Sequence, residues 1–184
     1  MGGKLIYLMG ASGSGKDCLM QYARGKLAST PGICFAHRYI TRPADSGGEN
    51  HVALSREEFS VRRQAGLFAL QWESHGLCYG VGIEIDQWLG KGITVVANGS
   101  RGYLRDAREY YSGLLPVRIE VAEEVLRERL VARGRETRDQ IEKRLERNRE
   151  FRDPGDQGVV LYNNGPLASA GAELVDIIMK SRGV

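Results

Sequence analysis

Short runs of apolar residues recur along the chain, and longer segments with helical spacing of apolar positions separate them. The runs cover residues 5–9, 33–36, 67–72, 93–97, 115–121 and 159–162. Runs of this length are typical of strands in a parallel sheet that is covered on both faces. Residues 5–9 form a continuous apolar run and predict a central strand.

The segments between the runs predict helices. In residues 18–27, Cys18, Leu19 and Tyr22 fall at helical spacing, and Ser55 with Glu58 forms a capping box for a helix that ends near Gln64. The other predicted helices cover residues 83–89, 122–133, 138–152 and 167–180. Alternating strands and helices predict an α/β fold with a central parallel sheet flanked by helices. A length of 184 residues fits one domain.

Two segments have neither pattern and predict loops. Residues 37–51 are polar, and residues 75–82 are punctuated by glycine. Arg38 and Arg42 then lie on a loop after a strand, and such loops face the ligand crevice in open α/β sheets. A solvated surface turn explains the same composition, so both interpretations stay open.

The glycine-rich stretch Gly10-Ala-Ser-Gly-Ser-Gly-Lys16-Asp17 follows the first strand and precedes the first helix. Backbone N–H groups at such a junction cradle phosphates, and Lys16 can reach the β- and γ-phosphates of a nucleotide. Position 17 normally carries a Ser or Thr that holds Mg²⁺. Asp17 is also a hard oxygen ligand, so it predicts a metal site, bound directly or through water. A glycine-rich turn without a ligand is the alternative.

Charge and cysteine content limit the partners. The net charge is +3 and acidic residues interrupt the basic ones, which favours a small phosphorylated substrate over nucleic acid. Cys18, Cys34 and Cys78 are widely spaced and predict buried thiols in a reducing cytoplasm. The first apolar run is too short to cross a membrane. We therefore expect a cytoplasmic protein without a membrane partner; a homodimer is left open.

Arginines are dense between residues 127 and 152, where glutamates are interleaved with them. A solvated pair of helices with salt bridges explains some of these arginines. Arg133 and Arg135, however, lie at the turn between the two predicted helices. Planar cationic donors on a hinge opposite a phosphate loop are what phosphoryl transfer requires.

Along nearly its full length the chain resembles the guanylate kinase branch of the nucleoside-monophosphate kinases. The matching motifs are residues 10–16, Thr41-Arg42, Tyr79-Gly80, Arg129-Leu130 with Arg133-Gly134, Arg144-Leu145 and Asn163. The resemblance implies one domain over 1–184, with an acceptor-binding region at about 37–82 and a small lid near 133–140. It also implies ATP, Mg²⁺ and transfer of the γ-phosphoryl group to a phosphate oxygen.

Three departures argue against GMP as the acceptor. Guanylate kinases read the base with a carboxylate nine residues before Tyr-Gly and with a Ser or Thr after it, where this chain has Leu70 and Val81. A second phosphate-binding Arg is replaced by Asp45. Loss of such polar partners costs roughly 10⁴-fold in discrimination.

A longer similarity is to the ribose 1,5-bisphosphate phosphokinases of bacterial phosphonate degradation, and it includes Asp17. It rests on His37-Arg-Tyr-Ile-Thr-Arg42, Glu49-Asn-His51, Tyr79-Gly-Val-Gly82 with Glu84-Ile-Asp86, and Asn98-Gly-Ser-Arg101. The implied reaction converts ribose 1,5-bisphosphate and ATP to 5-phosphoribosyl 1-diphosphate and ADP.

The resemblance implies a role for each of the following residues. The expected ATP-binding residues are Gly10, Ala11, Ser12, Gly13, Ser14, Gly15, Lys16, Asp17, Cys18, Arg129 and Asn163, with Mg²⁺ at Asp17. Lys16, Arg133 and Arg144 are the expected catalytic residues. The expected acceptor-binding residues are Arg38, Arg42, Glu49, His51, Tyr79, Glu84, Asp86 and Arg101. Contacts with ribose hydroxyls and a structural role are equally open for Glu49, His51, Glu84 and Asp86. A nucleoside-monophosphate kinase of relaxed specificity and a non-catalytic binding module remain the alternatives.

Overall fold

The computed structural model describes residues 2–44, 49–134, 136–150 and 158–182. Asp45, Arg135 and residues 151–152 enter the predictions above and lie outside these ranges. The described residues form the strands β1 (Leu5–Gly10), β2 (Ile33–Phe35), β3 (Arg38–Ile40), β4 (Val52–Ala53), β5 (Phe68–Ser74), β6 (Leu77–Gly82), β7 (Thr94–Asn98), β8 (Leu115–Glu120) and β9 (Val159–Tyr162). They also form the helices α1 (Lys16–Lys26), α2 (Arg56–Gln64), α3 (Glu84–Gly90), α4 (Leu104–Tyr110), α5 (Glu123–Arg133), α6 (Arg138–Glu150) and α7 (Leu167–Lys180).

The central sheet has five parallel strands in the order β2-β7-β1-β8-β9. Strand β1 is in the middle, and its alternating side chains enter two cores. Ile6 and Leu8 join a core that includes residues of α1 and α7, whereas Leu5, Tyr7 and Met9 join a core that includes residues of α3 and α4. The predicted α/β fold and the central position of β1 are confirmed.

A second sheet, in the order β4-β3-β6-β5, was not predicted. The interpretation of residues 37–51 and 75–82 as loops was wrong, because β3 and β6 lie inside them and pair antiparallel. Gly80 is not a turn residue. A Cβ there would come within 2.6 Å of the Phe68 ring, so this glycine allows a close approach within the sheet.

The helices agree closely with the sequence predictions. Ser55 Oγ accepts a hydrogen bond of 3.0 Å from the Glu58 backbone N–H, which confirms the N-terminal cap of α2. Helices α5 and α6 pack through a separate small core that includes Leu126, Leu130 and Leu145. No element was predicted for the segment that forms a 3₁₀ turn, Arg101–Tyr103, and α4.

Two further features concern the cysteines and the length of the helices. Cys34 is half-buried and Cys78 is buried, but Cys18 is exposed on the first turn of α1, so the expectation of three buried thiols was wrong at this position. None of the helices in the described ranges combines the length and the apolar character needed to span a bilayer.

Candidate active site

The glycine-rich loop joins the end of β1 to the start of α1 at the carboxyl edge of the central sheet. Gly13 and Gly15 have φ angles of 91° and 83°, a region that favours glycine. A Cβ at Gly15 would also lie 2.5 Å from Nδ2 of Asn163. Both glycines are therefore required by the backbone path of the loop.

Asn163, which directly follows β9, braces this loop. Its side chain is buried, and Nδ2 donates a hydrogen bond of 2.8 Å to the backbone oxygen of Ser14. Its backbone N–H donates to Glu120 O at 2.8 Å. Asn163 thus connects the loop to the far edge of the parallel sheet.

Lys16 and Asp17 open α1 and form a charged pair. Lys16 Nζ lies 3.6 Å from Asp17 Oδ1, and Asn98 Nδ2 donates to the same oxygen at 2.9 Å. Burial lowers the pKa of Lys16, although Asp17 opposes this shift. Burial alone would raise the pKa of Asp17, but the Lys16 and Arg38 charges and the Asn98 hydrogen bond hold it below its usual value. Asp17 is therefore an ionised carboxylate at neutral pH.

A single cleft of about 1160 Å³ runs from this loop to the second sheet. Pockets for one small ligand are typically about 300–1000 Å³, so the cleft has room for two substrates side by side. Arg38, Arg42, Glu49, Tyr79 and Arg101 line it opposite the loop.

The lid arginines line the same cleft from the side of α5 and α6. Arg144 Nη1 donates to Ser12 Oγ at 2.6 Å, and Arg144 Nη2 lies 3.1 Å from Glu136 Oε1. Arg129 Nη1 is buried without a hydrogen-bond partner in the described part of the chain. It lies beside the glycine-rich loop, 3.8 Å from the point that a Cβ would occupy at Gly15. Arg133, at the end of α5, is exposed. The structure therefore brings all three predicted lid arginines to the cleft that the glycine-rich loop also lines.

Arg38 and Glu49 form a buried ion pair in the predicted acceptor-binding region. Arg38 Nε donates to Glu49 Oε1 at 2.7 Å, and Nη2 donates to Oε2. Only 10% and 11% of the two side chains are exposed. Bidentate pairing fixes the orientation of both groups. The sequence predicted separate contacts with substrate for these residues and did not predict their pairing.

An aromatic column stands beside this pair. Trp72 stacks on Tyr79 with ring centroids 5.6 Å apart and on Tyr103 with centroids 5.7 Å apart. The Arg38 guanidinium lies 5.1 Å from the Tyr79 centroid. We name Tyr79, Trp72 and Tyr103 the aromatic wall; all three side chains line the cleft.

Three predicted acceptor residues are not among those that line the cleft. His51 Nδ1 lies 3.0 Å from Glu49 O, and Nε2 lies 3.1 Å from Arg42 O, so the ring bridges the backbone of Arg42 and Glu49. Asp86 accepts a hydrogen bond from Tyr111, and Glu84 starts α3. Their roles toward the acceptor stay predictions.

Comparison with known proteins identifies the family. The chain is 57% identical to a ribose 1,5-bisphosphate phosphokinase PhnN of Desulfomicrobium baculatum over 178 residues, which cover 97% of this chain and 95% of the relative. It is 55% identical to the protein of the same name from Thiobacillus denitrificans over 176 residues, which cover 96% and 93%. The chain belongs to the ribose 1,5-bisphosphate phosphokinase family. No protein-family model matches it.

A solved structure shows the fold of this family member. The guanylate kinase of Anaplasma phagocytophilum superposes with a TM-score of 0.69 at 17% identity, over 100% of this chain and 88% of that protein. The guanylate kinase-like fold expected from the sequence is confirmed.

Sequence reasoning missed several residues of the site. Trp72 was placed on a strand but not in the cleft, although the period of two along β5 puts it on the same face as the buried Leu70. Tyr103 lies in a segment without a prediction. His75 and Arg147 meet across the cleft, with Arg147 Nη1 3.1 Å from His75 Nε2. Nothing local in the sequence indicates that contact.

Arg101 reaches the cleft from the 3₁₀ turn after β7. Its Nη1 donates to Asn148 Oδ1 at 2.6 Å. Burial, with Arg147 and Arg118 nearby, lowers the pKa of Arg101 to about 10, so it remains cationic at neutral pH.

The donor set fits a divalent cation that arrives with a nucleotide. Within the described ranges, no cluster of three or more His, Cys, Asp or Glu side chains could hold a metal by itself. Asp17 supplies one hard oxygen at the cleft. A cation there must take its other ligands from water or phosphate oxygens, as Mg²⁺ does in nucleotide sites.

Proposed function

We propose that this protein transfers the γ-phosphoryl group of ATP to the 1-phosphate of ribose 1,5-bisphosphate, giving 5-phosphoribosyl 1-diphosphate and ADP, in phosphonate catabolism. Membership of the family supports the reaction. The observation that carries the proposal is one cleft that the glycine-rich loop lines together with the predicted lid arginines, Arg38 and Arg42. Both substrates are phosphorylated metabolites of the cytoplasm, where we expect the protein to act.

The transfer needs positioning and charge neutralisation more than proton transfer. The acceptor phosphate is already ionised at neutral pH, so one of its oxygens attacks the γ-phosphorus without a general base. The bond from the γ-phosphorus to the β,γ-bridging oxygen breaks, and ADP leaves with that oxygen. Lys16 and the loop amides hold the phosphate chain, and Arg129, Arg133 and Arg144 neutralise the transferring group. Mg²⁺ held by Asp17 would reduce the negative charge of the phosphates.

The acceptor region favours a sugar phosphate over a nucleobase. Leu70 and Val81 are 0% and 1% exposed and pack in the core that contains Tyr7, so neither position offers a polar group to a base. Arg42 supplies a cation for an acceptor phosphate, because its Nε is buried without a hydrogen-bond partner in the described residues.

Phosphorus NMR tests the proposal. Purified protein is incubated with Mg²⁺-ATP and, in separate samples, with ribose 1,5-bisphosphate, GMP or AMP. A new pair of diphosphate resonances is expected with ribose 1,5-bisphosphate alone. Turnover of GMP or AMP at a comparable rate would contradict the proposed acceptor. Failure to bind ATP in a calorimeter would favour a binding module instead.

A further inference from the structure

Asn98 is a buried amide at the point where β7 ends beside the glycine-rich loop. Its side chain is 1% exposed. In the parallel register Asn98 pairs with Leu8, two residues before the loop begins at Gly10.

The chemistry of the two side chains determines which atoms of Asn98 and Asp17 meet. An ionised carboxylate only accepts hydrogen bonds, so Nδ2 is the Asn98 atom that faces Asp17 Oδ1, at 2.9 Å. Lys16 Nζ approaches the same oxygen. The Asp17 side chain is 38% exposed and lines the cleft. Asn98 and Lys16 therefore hold one oxygen of the Asp17 carboxylate, while the side chain remains accessible from the cleft.

The two positions are chemically complementary. A carboxylate at position 98 would stand against Asp17 and repel it, whereas an amide of the same shape donates to it. Asn98 Oδ1 is buried and has no hydrogen-bond partner among the described residues. Burying an unsatisfied acceptor costs stability, so its presence at this place needs an explanation beyond packing.

We propose that Asn98 is a positioning residue that orients the Asp17 carboxylate toward a divalent cation bound with the nucleotide. The inference rests on the proposed ATP site but not on the acceptor. The negatively charged side chain of this site is then Asp17, at the start of α1, and its neutral hydrogen-bonding partner is Asn98, at the end of β7. Partners that orient a metal ligand typically contribute 10–100-fold to metal affinity.

Manganese binding tests the proposal without turnover. The dissociation constant of Mn²⁺ is measured by electron paramagnetic resonance of free Mn²⁺ in the presence of the non-hydrolysable ATP analogue adenylyl imidodiphosphate. Asp17→Asn and Asn98→Ala are each expected to weaken Mn²⁺ binding about tenfold. The exchange variant Asp17→Asn/Asn98→Asp, which keeps one carboxylate and one amide in reversed places, is expected to stay as weak as Asp17→Asn, because position 98 is only 1% exposed and is not among the residues that line the cleft.

A matched control separates positioning from stability. Thr94→Val removes another buried polar group at the opposite end of β7 and should leave Mn²⁺ binding within twofold. Affinity for the analogue without metal should be unchanged in Asn98→Ala. The proposal is overturned if Asn98→Ala binds Mn²⁺ normally, if its metal-free analogue affinity falls equally, or if the exchange variant binds Mn²⁺ as tightly as the wild type, which would make position 98 a ligand and not a positioning residue. A wild-type protein that binds the analogue and Mn²⁺ but phosphorylates no ribose 1,5-bisphosphate would refute only the proposed acceptor.

Discussion

The buried pair Arg38–Glu49 allows a quantitative test of how the acceptor region is stabilised. Glu49→Gln keeps the shape of the side chain and removes its charge, which leaves the Arg38 guanidinium in a site where only 10% of that side chain is exposed. Breaking one partner of a buried ion pair typically costs about 3–5 kcal/mol. The Tyr79 ring, 5.1 Å from the guanidinium, keeps about 0.5–2 kcal/mol of cation–π attraction. We therefore expect a loss of about 3 kcal/mol.

Urea unfolding measures this loss. Tryptophan fluorescence is a suitable signal, because Trp72 stands beside the pair, with its ring centroid 5.9 Å from the Arg38 guanidinium, and Trp88 lies on α3 against the core. The exposed pair Arg62–Glu58 on α2 provides the control, because Glu58→Gln should cost only about 0.2–0.5 kcal/mol. A double variant, Arg38→Met/Glu49→Gln, should recover much of the stability, since no unpaired charge remains. Equal effects of Glu49→Gln and Glu58→Gln would refute the reasoning.

Four further predictions test other parts of the site. Lys16→Ala should lower kcat roughly 10²–10³-fold and change the free energy of unfolding by less than about 1 kcal/mol, and an unchanged kcat would remove the phosphate-loop assignment. Gly15→Ala should lower the free energy of unfolding by at least about 1–3 kcal/mol, because Gly15 has a φ of 83° and a Cβ there would meet Asn163. The control Gly25→Ala, at a position in α1 with open space around it, should raise the free energy of unfolding by up to about 1 kcal/mol in the same urea experiment. Trp72→Leu should raise the KM for the acceptor about tenfold and leave the KM for ATP within twofold; equal changes in both would contradict the aromatic wall. Burial, with Arg147 and Arg144 nearby, lowers the pKa of His75 from 6.5, so the unfolded state binds more protons and stability falls slightly as pH drops through about 6.5. Proton NMR should show the pKa of His75 rising in Arg147→Gln.

The central sheet and the glycine-rich loop were predictable because their signals are local. Strand β1 is a continuous apolar run, and the glycine-rich loop follows it directly. The sequence therefore predicted which part of the chain would line one end of the cleft. Ser55 and Glu58, which form the N-terminal cap of α2, lie three positions apart, so the cap was also predictable from the local sequence.

The second sheet was not predictable from the same signals. Strand β3 is partly polar and β6 is rich in glycine, and their strand conformation depends on pairing with each other, as between Tyr39 and Gly80. The aromatic wall and the Arg38–Glu49 pair form only after that sheet has assembled. Their residue types were visible in the sequence, but their partners are set by tertiary structure.

Helix α6 contacts both ends of the cleft. Arg144 holds Ser12 in the glycine-rich loop, and Arg147, less than one turn further along the helix, contacts His75 at the tip of the β5–β6 hairpin. A ligand that displaces α6 at one end must disturb its contact at the other. If nucleotide binding changes the affinity for the acceptor through this helix, linkage requires the acceptor to change nucleotide affinity by the same factor. Helix α6 therefore joins the glycine-rich loop to the β5–β6 hairpin, and calorimetric titrations of each ligand with and without the other would measure the coupling free energy.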